Sequence, residues 1–243
     1  MNMKTKDRII VALDTDTSMD ALRLARQLKG QVGVFKIGSQ LFTAEGPEIV
    51  RQVIGMGEKV FLDLKFHDIP NTVTGSVCAA ARLGVSMLTL HTLGGLSMLD
   101  FAVRQVHKSL SPTERPLLLG VTVLTSMGDS DLEEVGVAAR AEDQVVRLAG
   151  LALKAGLDGV IASPRELPQL RHLYGKALKL VIPGVRPSGS ASDDQTRIAT
   201  PAEAIRAGAD YLVIGRPITA SPDPAGTVQR IVESIERESA PKG

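Results

Sequence analysis

The sequence predicts an α/β protein, a single (β/α)8 TIM barrel over residues 1–243. Short β-type runs recur along the chain and are continuous rather than alternating, as expected for strands buried on both faces of a parallel sheet. Segments with helical spacing separate them. Eight such units in 243 residues allot roughly 30 residues to each, the unit size of a (β/α)8 barrel with short connections. A doubly wound open sheet is the alternative, because periodicity does not show closure.

The strand candidates are, in order, RIIVALD (8–14), GVFKIG (33–38), KVFLDLK (59–65), SMLTLH (86–91), LLLGVTV (117–123), DGVIAS (158–163), LKLVIPG (178–184) and DYLVIG (210–215). After the first, the hydroxyl and acidic cluster 15–18 supplies N-cap choices for a helix whose apolar positions are Met19, Leu22, Leu24, Ala25 and Leu28. An internal echo supports the repeating plan. AGLDGVIAS (155–163) and AGADYLVIG (207–215) both read as a helix-ending Gly, a polar residue and a strand, and LGVSMLTLH (83–91) is a looser copy. The Pro- and Gly-rich stretch PGVRPSGSASDDQ (183–195) falls between the last two strands and reads as a functional loop, not as an interdomain linker.

Composition narrows the function. With 28 Lys and Arg against 27 Asp and Glu, a net charge of +1 and 3% aromatic residues, the chain has neither a general basic field nor many stacking platforms, which disfavours polynucleotide binding. The lone Cys78 sits on an apolar helical face, where it reads as packing, and offers neither an internal disulfide nor a zinc cluster. The start MNMKTKDR leads into only a short apolar stretch, and the longest uncharged segment, 83–99, is too polar to span a bilayer. The expected setting is the cytoplasm, with no membrane segment.

In a barrel, functional groups gather where strands run into the following loops. The polar residues there are Asp14, Lys36, Asp63, Lys65, Asp68, His91, Thr125, Ser163, Arg186, Gln195 and Arg216. The densest group is FLDLKFHDIPNT (61–72), in which Asp63 and Lys65 are two apart and project from one face of a strand into the barrel mouth. Burying such charges costs several kcal/mol per ion unless they are paired. Lys36, near the end of the second strand, adds a cation, so the simplest arrangement alternates Asp and Lys. A structural ion pair closing the barrel top is the plain alternative. A Mg2+ site is a second, but two lysines in the cluster repel a divalent cation, so no metal is expected.

PGVRP (183–187) and IGRPIT (214–219) follow the seventh and eighth strands, where barrels often bind phosphate. Gly215 lets backbone amides approach an anion and Arg216 offers a bidentate guanidinium. Gly-Arg-Pro alone is a weak signal, equally readable as a tight turn beside a surface charge. His91 ends a strand, where it could act as an acid or base, but a hydrogen-bonded structural histidine is the preferred reading.

Taken together, these residues resemble the orotidine 5'-phosphate decarboxylases of the bacterial type over nearly the whole chain. The most specific element is FLDLKFHDIPNTV (61–73), with its D-x-K-x-x-D motif; VALD, FKIG, VTVLTS, PGVRP, DDQ and DYLVIGRPIT follow in the family's order. The resemblance implies cofactor-independent decarboxylation of orotidine 5'-monophosphate, with Lys65 as proton donor and Asp63 beside the scissile carboxylate. It implies that Lys36 contacts the ribose and holds Asp63, that Asp14 binds ribose hydroxyls and that Thr125 contacts the pyrimidine. Arg186, Gln195, Gly215 and Arg216 would hold the phosphate under the 183–195 loop. Asp68 and Thr72 would reach the neighbouring site of a homodimer.

The nearest rivals are related Mg2+-dependent barrels that act on sugar phosphates, namely keto-gulonate phosphate decarboxylases and hexulose-phosphate synthases. A Schiff-base aldolase using Lys65 or Lys36 is another. A non-catalytic nucleotide-binding protein is the reading from a different class, and the intact Asp63 and Lys65 argue against it.

Overall fold

The computed structural model of the chain describes residues 3–187 and 199–239. Eight parallel strands close into a barrel in chain order: β1 (Ile9–Ala12), β2 (Val34–Gly38), β3 (Val60–Phe66), β4 (Met87–His91), β5 (Leu117–Val121), β6 (Gly159–Ile161), β7 (Lys179–Pro183) and β8 (Tyr211–Ile214). Closure is made by β1 and β8, with Ile9 opposite Leu212 and Val11 opposite Ile214. That ladder excludes the open sheet. Each expected strand coincides with an observed one, and the differences are confined to its ends.

The connections are helical. In order they are α1 (Ser18–Gln27), α2 (Ser39–Glu45), α3 (Glu48–Gly55), α4 (Pro70–Arg82), α5 (Gly95–Ser109), α6 (Asp129–Glu134), α7 (Ala141–Lys154), α8 (Leu167–Tyr174), α9 (Pro201–Arg206), α10 (Arg216–Thr219) and α11 (Pro224–Ser239). The hydroxyl cluster before α1 resolves to one cap: Thr17 is the N-cap and its side chain accepts the Asp20 N–H, an arrangement worth about 1 kcal/mol. Ala21, Leu24 and Ala25 form the buried stripe of that helix. Met19, expected on the same face, lies in the first turn of α1 and is exposed.

The internal echo has a physical cause. Gly156 and Gly208 take φ of +81° and +107° after α7 and α9, a left-handed conformation that ends each helix. The polar residue two places on then bonds to the neighbouring strand. The Asp158 carboxylate accepts the Leu118 N–H at 2.8 Å, and that of Asp210 accepts the Leu180 N–H at 2.9 Å. Each copy thereby satisfies a backbone donor at the start of the preceding strand.

Apolar packing falls into two layers. Ile10, Val34, Phe61, Met87, Leu119 and Val181 pack against one another within the barrel, and a larger cluster that includes Phe35, Leu62, Leu88, Leu99 and Leu148 fills the space between strands and helices. The continuous apolar runs follow from this: both strand faces are buried, each large side chain contributing about 1.5–3 kcal/mol. Cys78, in α4, is half-buried against the outer layer. Among the described residues no helix is long and apolar enough to cross a membrane.

Candidate active site

On β2, β3 and β4 the side chains within the barrel change character along the strand with period two. Val34 is followed by Lys36, Phe61 by Asp63 and Met87 by Thr89, so an apolar rung gives way to a polar one toward the strands' C-terminal ends. Above this floor lies a cavity of about 310 Å3. Its lining includes Asp14, Lys36, Asp63, Lys65, Thr125, Arg186, Gly215 and Arg216, with Phe61, Val121, Ile161, Pro183 and Val213 among the apolar wall residues.

Asp and Lys alternate across one side of the cavity, as expected from the sequence. Lys36 Nζ donates to Asp14 Oδ1 at 3.0 Å and lies 3.8 Å from Asp63 Oδ2, while Lys65 Nζ donates to Asp63 Oδ2 at 3.0 Å. The Lys36 side chain is only 11% exposed, so its two carboxylate neighbours offset the cost of removing an ammonium from water. Gly38 allows this packing: a Cβ there would lie 3.1 Å from Lys36 Nζ and 3.3 Å from Asp14 Oδ1.

Asp63 and Lys65 do meet in the mouth, but regular alternation on one strand is not what brings them there. The register of β3 against β4 shifts between Leu62 and Phe66. Within that bulge Lys65 has φ of +51°, unique among the described non-glycine residues. Such a conformation costs of order 1–3 kcal/mol and persists only where its surroundings hold it. Thr89, on β4 and fully buried, accepts the Lys65 backbone N–H at 2.9 Å and donates its hydroxyl to Asp63 Oδ1 at 3.0 Å. Thr89 is absent from the candidates read from sequence; the available signal was a hydroxyl two residues before His91 in an otherwise apolar run.

Pro183, Gly184, Val185 and Arg186 after β7 and Gly215, Arg216 and Pro217 after the adjacent β8 complete the lining. The Arg186 backbone N–H donates to Ala199 O at 3.0 Å, and its side chain is buried. A Cβ on Gly215 would touch only Ala12 Cβ, at an ordinary 3.6 Å, so packing against the described residues does not require a glycine. Four cations, Lys36, Lys65, Arg186 and Arg216, line the cavity with two carboxylates, Asp14 and Asp63. The excess of positive charge suits an anionic ligand.

The remaining candidates lie elsewhere. Asp68 is exposed, with Oδ1 accepting the Ile69 N–H at 2.6 Å, and Thr72 is exposed in the first turn of α4. Neither lines the cavity. Gln195 lies outside the described residues. Ser163 turns away to donate its hydroxyl and its N–H to the buried Glu166 carboxylate. Among the described residues no three His, Cys, Asp or Glu side chains converge as a metal-ligand set.

His91 has the structural role read from sequence: its Nδ1 accepts the Leu93 N–H at 3.4 Å, and its ring stacks on His67 with centroids 5.2 Å apart. Burial first, then the charges of His67 and Lys65, push its pKa down from 6.5 to about 4. The ring is therefore neutral at pH 7. The unfolded chain takes up this proton near 6.5, so the stability contributed by a neutral His91 is complete above that pH and falls as pH drops toward 4. We expect a ring NMR titration of His91 to give a midpoint well below 6; a midpoint at or above 6.5 would contradict this.

Fold and site together define a (β/α)8 barrel with a charge-alternating, net cationic cavity at its C-terminal mouth, where enzymes of this fold carry their active sites. The pattern of the orotidine 5'-phosphate decarboxylase / HUMPS family matches residues 7–231, and the chain belongs to that family. It is 52% identical over 237 residues to the orotidine 5'-phosphate decarboxylase of Syntrophotalea carbinolica, covering 97% of each chain. It is 50% identical over 232 residues to that of Geobacter sulfurreducens, covering 96% of this chain and 97% of the relative. The crystal structure of orotidine 5'-phosphate decarboxylase from Lactobacillus acidophilus superposes with a TM-score of 0.83 at 35% identity, covering 93% of this chain and 98% of that one.

Proposed function

We propose that this chain, as one catalytic domain over residues 1–243, decarboxylates orotidine 5'-monophosphate to uridine 5'-monophosphate and CO2 without a cofactor or metal, the last step of de novo UMP synthesis in the cytoplasm. The observation that carries the reading is that the Asp14–Lys36–Asp63–Lys65 row and the two guanidinium residues Arg186 and Arg216 line one cavity. The row suits the reacting carboxylate and the ribose, and the guanidinium pair a phosphate.

In the reaction the C6–carboxylate bond breaks, its electron pair stays on C6 and CO2 leaves. No adjacent π-system delocalises that pair, so fixed charge must stabilise it. The Lys65 ammonium lies in place before reaction, needs little reorganisation and then gives its proton to C6, to be reprotonated from solvent. Asp63 faces the departing carboxylate and orients Lys65. Lys36 and Asp14 bind ribose hydroxyls, Thr125 contacts the pyrimidine, and Arg186, Gln195, Gly215 and Arg216 hold the phosphate. Binding energy from that remote phosphate serves orientation at C6.

Asp68 and Thr72 serve the neighbouring site of a homodimer. Their exposure supports this, together with that of the adjacent Ile69, which is 66% exposed beside the mouth.

The deciding experiment adds orotidine 5'-monophosphate to the purified protein in excess EDTA and follows ultraviolet absorbance, with a parallel sedimentation run. We expect conversion to uridine 5'-monophosphate by a dimer. No conversion, with activity on sugar phosphates only after Mg2+ is restored, would move the chain to the metal-dependent branch of the family; an active monomer would remove the proposed roles of Asp68 and Thr72.

A further inference from the structure

We infer that Thr89 is a positioning residue for the Asp63–Lys65 pair: its hydroxyl holds Lys65 in its left-handed backbone conformation and fixes the Asp63 carboxylate that orients the Lys65 ammonium. The inference rests on the proposed chemistry for its kinetic consequence and on geometry alone for its structural one.

Bulges that carry a functional side chain need something to hold the freed backbone group. Between Leu62 and Phe66 the ladder to β4 is interrupted, and the Lys65 N–H finds its acceptor in the Thr89 hydroxyl at 2.9 Å. A hydroxyl has one proton to give, and this one goes to Asp63 Oδ1 at 3.0 Å. The other carboxylate oxygen is left to Lys65 Nζ at 3.0 Å and Lys36 Nζ at 3.8 Å. A closed circuit results, from the Lys65 backbone through Thr89 and Asp63 back to the Lys65 side chain. Because Thr89 is fully buried, solvent does not compete for either bond, and the circuit fixes both ends of the lysine at once. Thr89 does not line the cavity, so it acts on substrate only through Asp63 and Lys65.

The test compares Thr89→Val, which keeps the branched shape and loses both bonds, with Thr89→Ser, which keeps them. For Thr89→Val we expect kcat on orotidine 5'-monophosphate to fall roughly 10- to 100-fold, the scale of a lost hydrogen bond to a charged group. Uridine 5'-monophosphate binding should stay within about 3-fold, and Thr89→Ser should retain kcat within about 3-fold. Thr89→Ala, which makes no steric demand, gives the same direction should the valine variant not fold. Unchanged kcat in a folded valine or alanine variant, equal losses in serine and valine, or a parallel loss of nucleotide affinity would overturn the inference. Hydrogen exchange at the Lys65 amide provides a readout independent of substrate. It should be at least about 10-fold faster in Thr89→Val than in wild type, and an unchanged rate would also overturn the inference. If wild type itself fails to decarboxylate, the functional reading falls, while exchange still decides the role of Thr89.

Discussion

Lys65→Ala is expected to lower kcat on orotidine 5'-monophosphate by at least about 10^4-fold while uridine 5'-monophosphate still binds within about 10-fold of wild type. The magnitude follows from removing two effects with one side chain: general-acid transfer contributes about 10^2- to 10^4-fold, and a fixed charge aimed at the developing carbanion about 10^2- to 10^3-fold. Product binding should survive because, on the proposed roles, it draws on Arg186, Arg216, Lys36 and Asp14, all of which line the cavity. Losses should therefore appear in kcat rather than in nucleotide affinity. Folding should tolerate the change, since the Lys65 side chain is 38% exposed and Lys36 remains within 3.8 Å of Asp63. Single-turnover kinetics and calorimetric titration with product check both halves, and near-normal turnover would remove Lys65 from the chemistry.

The parts of this molecule that were legible in the sequence are those governed by local rules. Strands buried on both faces need continuous apolar runs, so Ile9–Ala12 and Leu117–Val121 stand out without any knowledge of their partners. The echo was visible because the same backbone task, capping a neighbouring strand's N–H, recurs with Asp158 and Asp210. Charged residues at strand ends have few uses in a barrel other than facing its mouth, and Lys36, Asp63 and Lys65 do so. Thr89 was hidden because threonine also belongs in an ordinary strand by shape. The positive φ of Lys65 was hidden because it arises from a register slip between β3 and β4, a property of two strands together. The stacking of His67 on His91 is a third case, since it joins a loop residue to a strand 24 positions on.

Asp63→Asn is expected to lower kcat by about 10^2- to 10^3-fold and at the same time to tighten binding of orotidine 5'-monophosphate. The first effect follows from geometry: the asparagine can still accept the Thr89 hydroxyl, but it no longer offers a charged partner to Lys65 Nζ at 3.0 Å or to Lys36 Nζ at 3.8 Å. Breaking such a partly buried pair costs about 3–5 kcal/mol where the charge is left uncompensated. Asp14, bonded to Lys36 at 3.0 Å, and the 38% exposure of Lys65 temper that cost. The second effect follows from charge: a substrate carboxylate held beside Asp63 is repelled by it, and the product, which has lost that carboxylate, is not. Relief of this repulsion should lower the substrate dissociation constant while product affinity stays within about 3-fold. The substrate dissociation constants of Asp63→Asn and wild type, each set against product affinity, test this. A substrate dissociation constant unchanged in Asp63→Asn would mean that Asp63 acts only by orienting Lys65, and the contribution of electrostatic stress to the reaction would have to be given up.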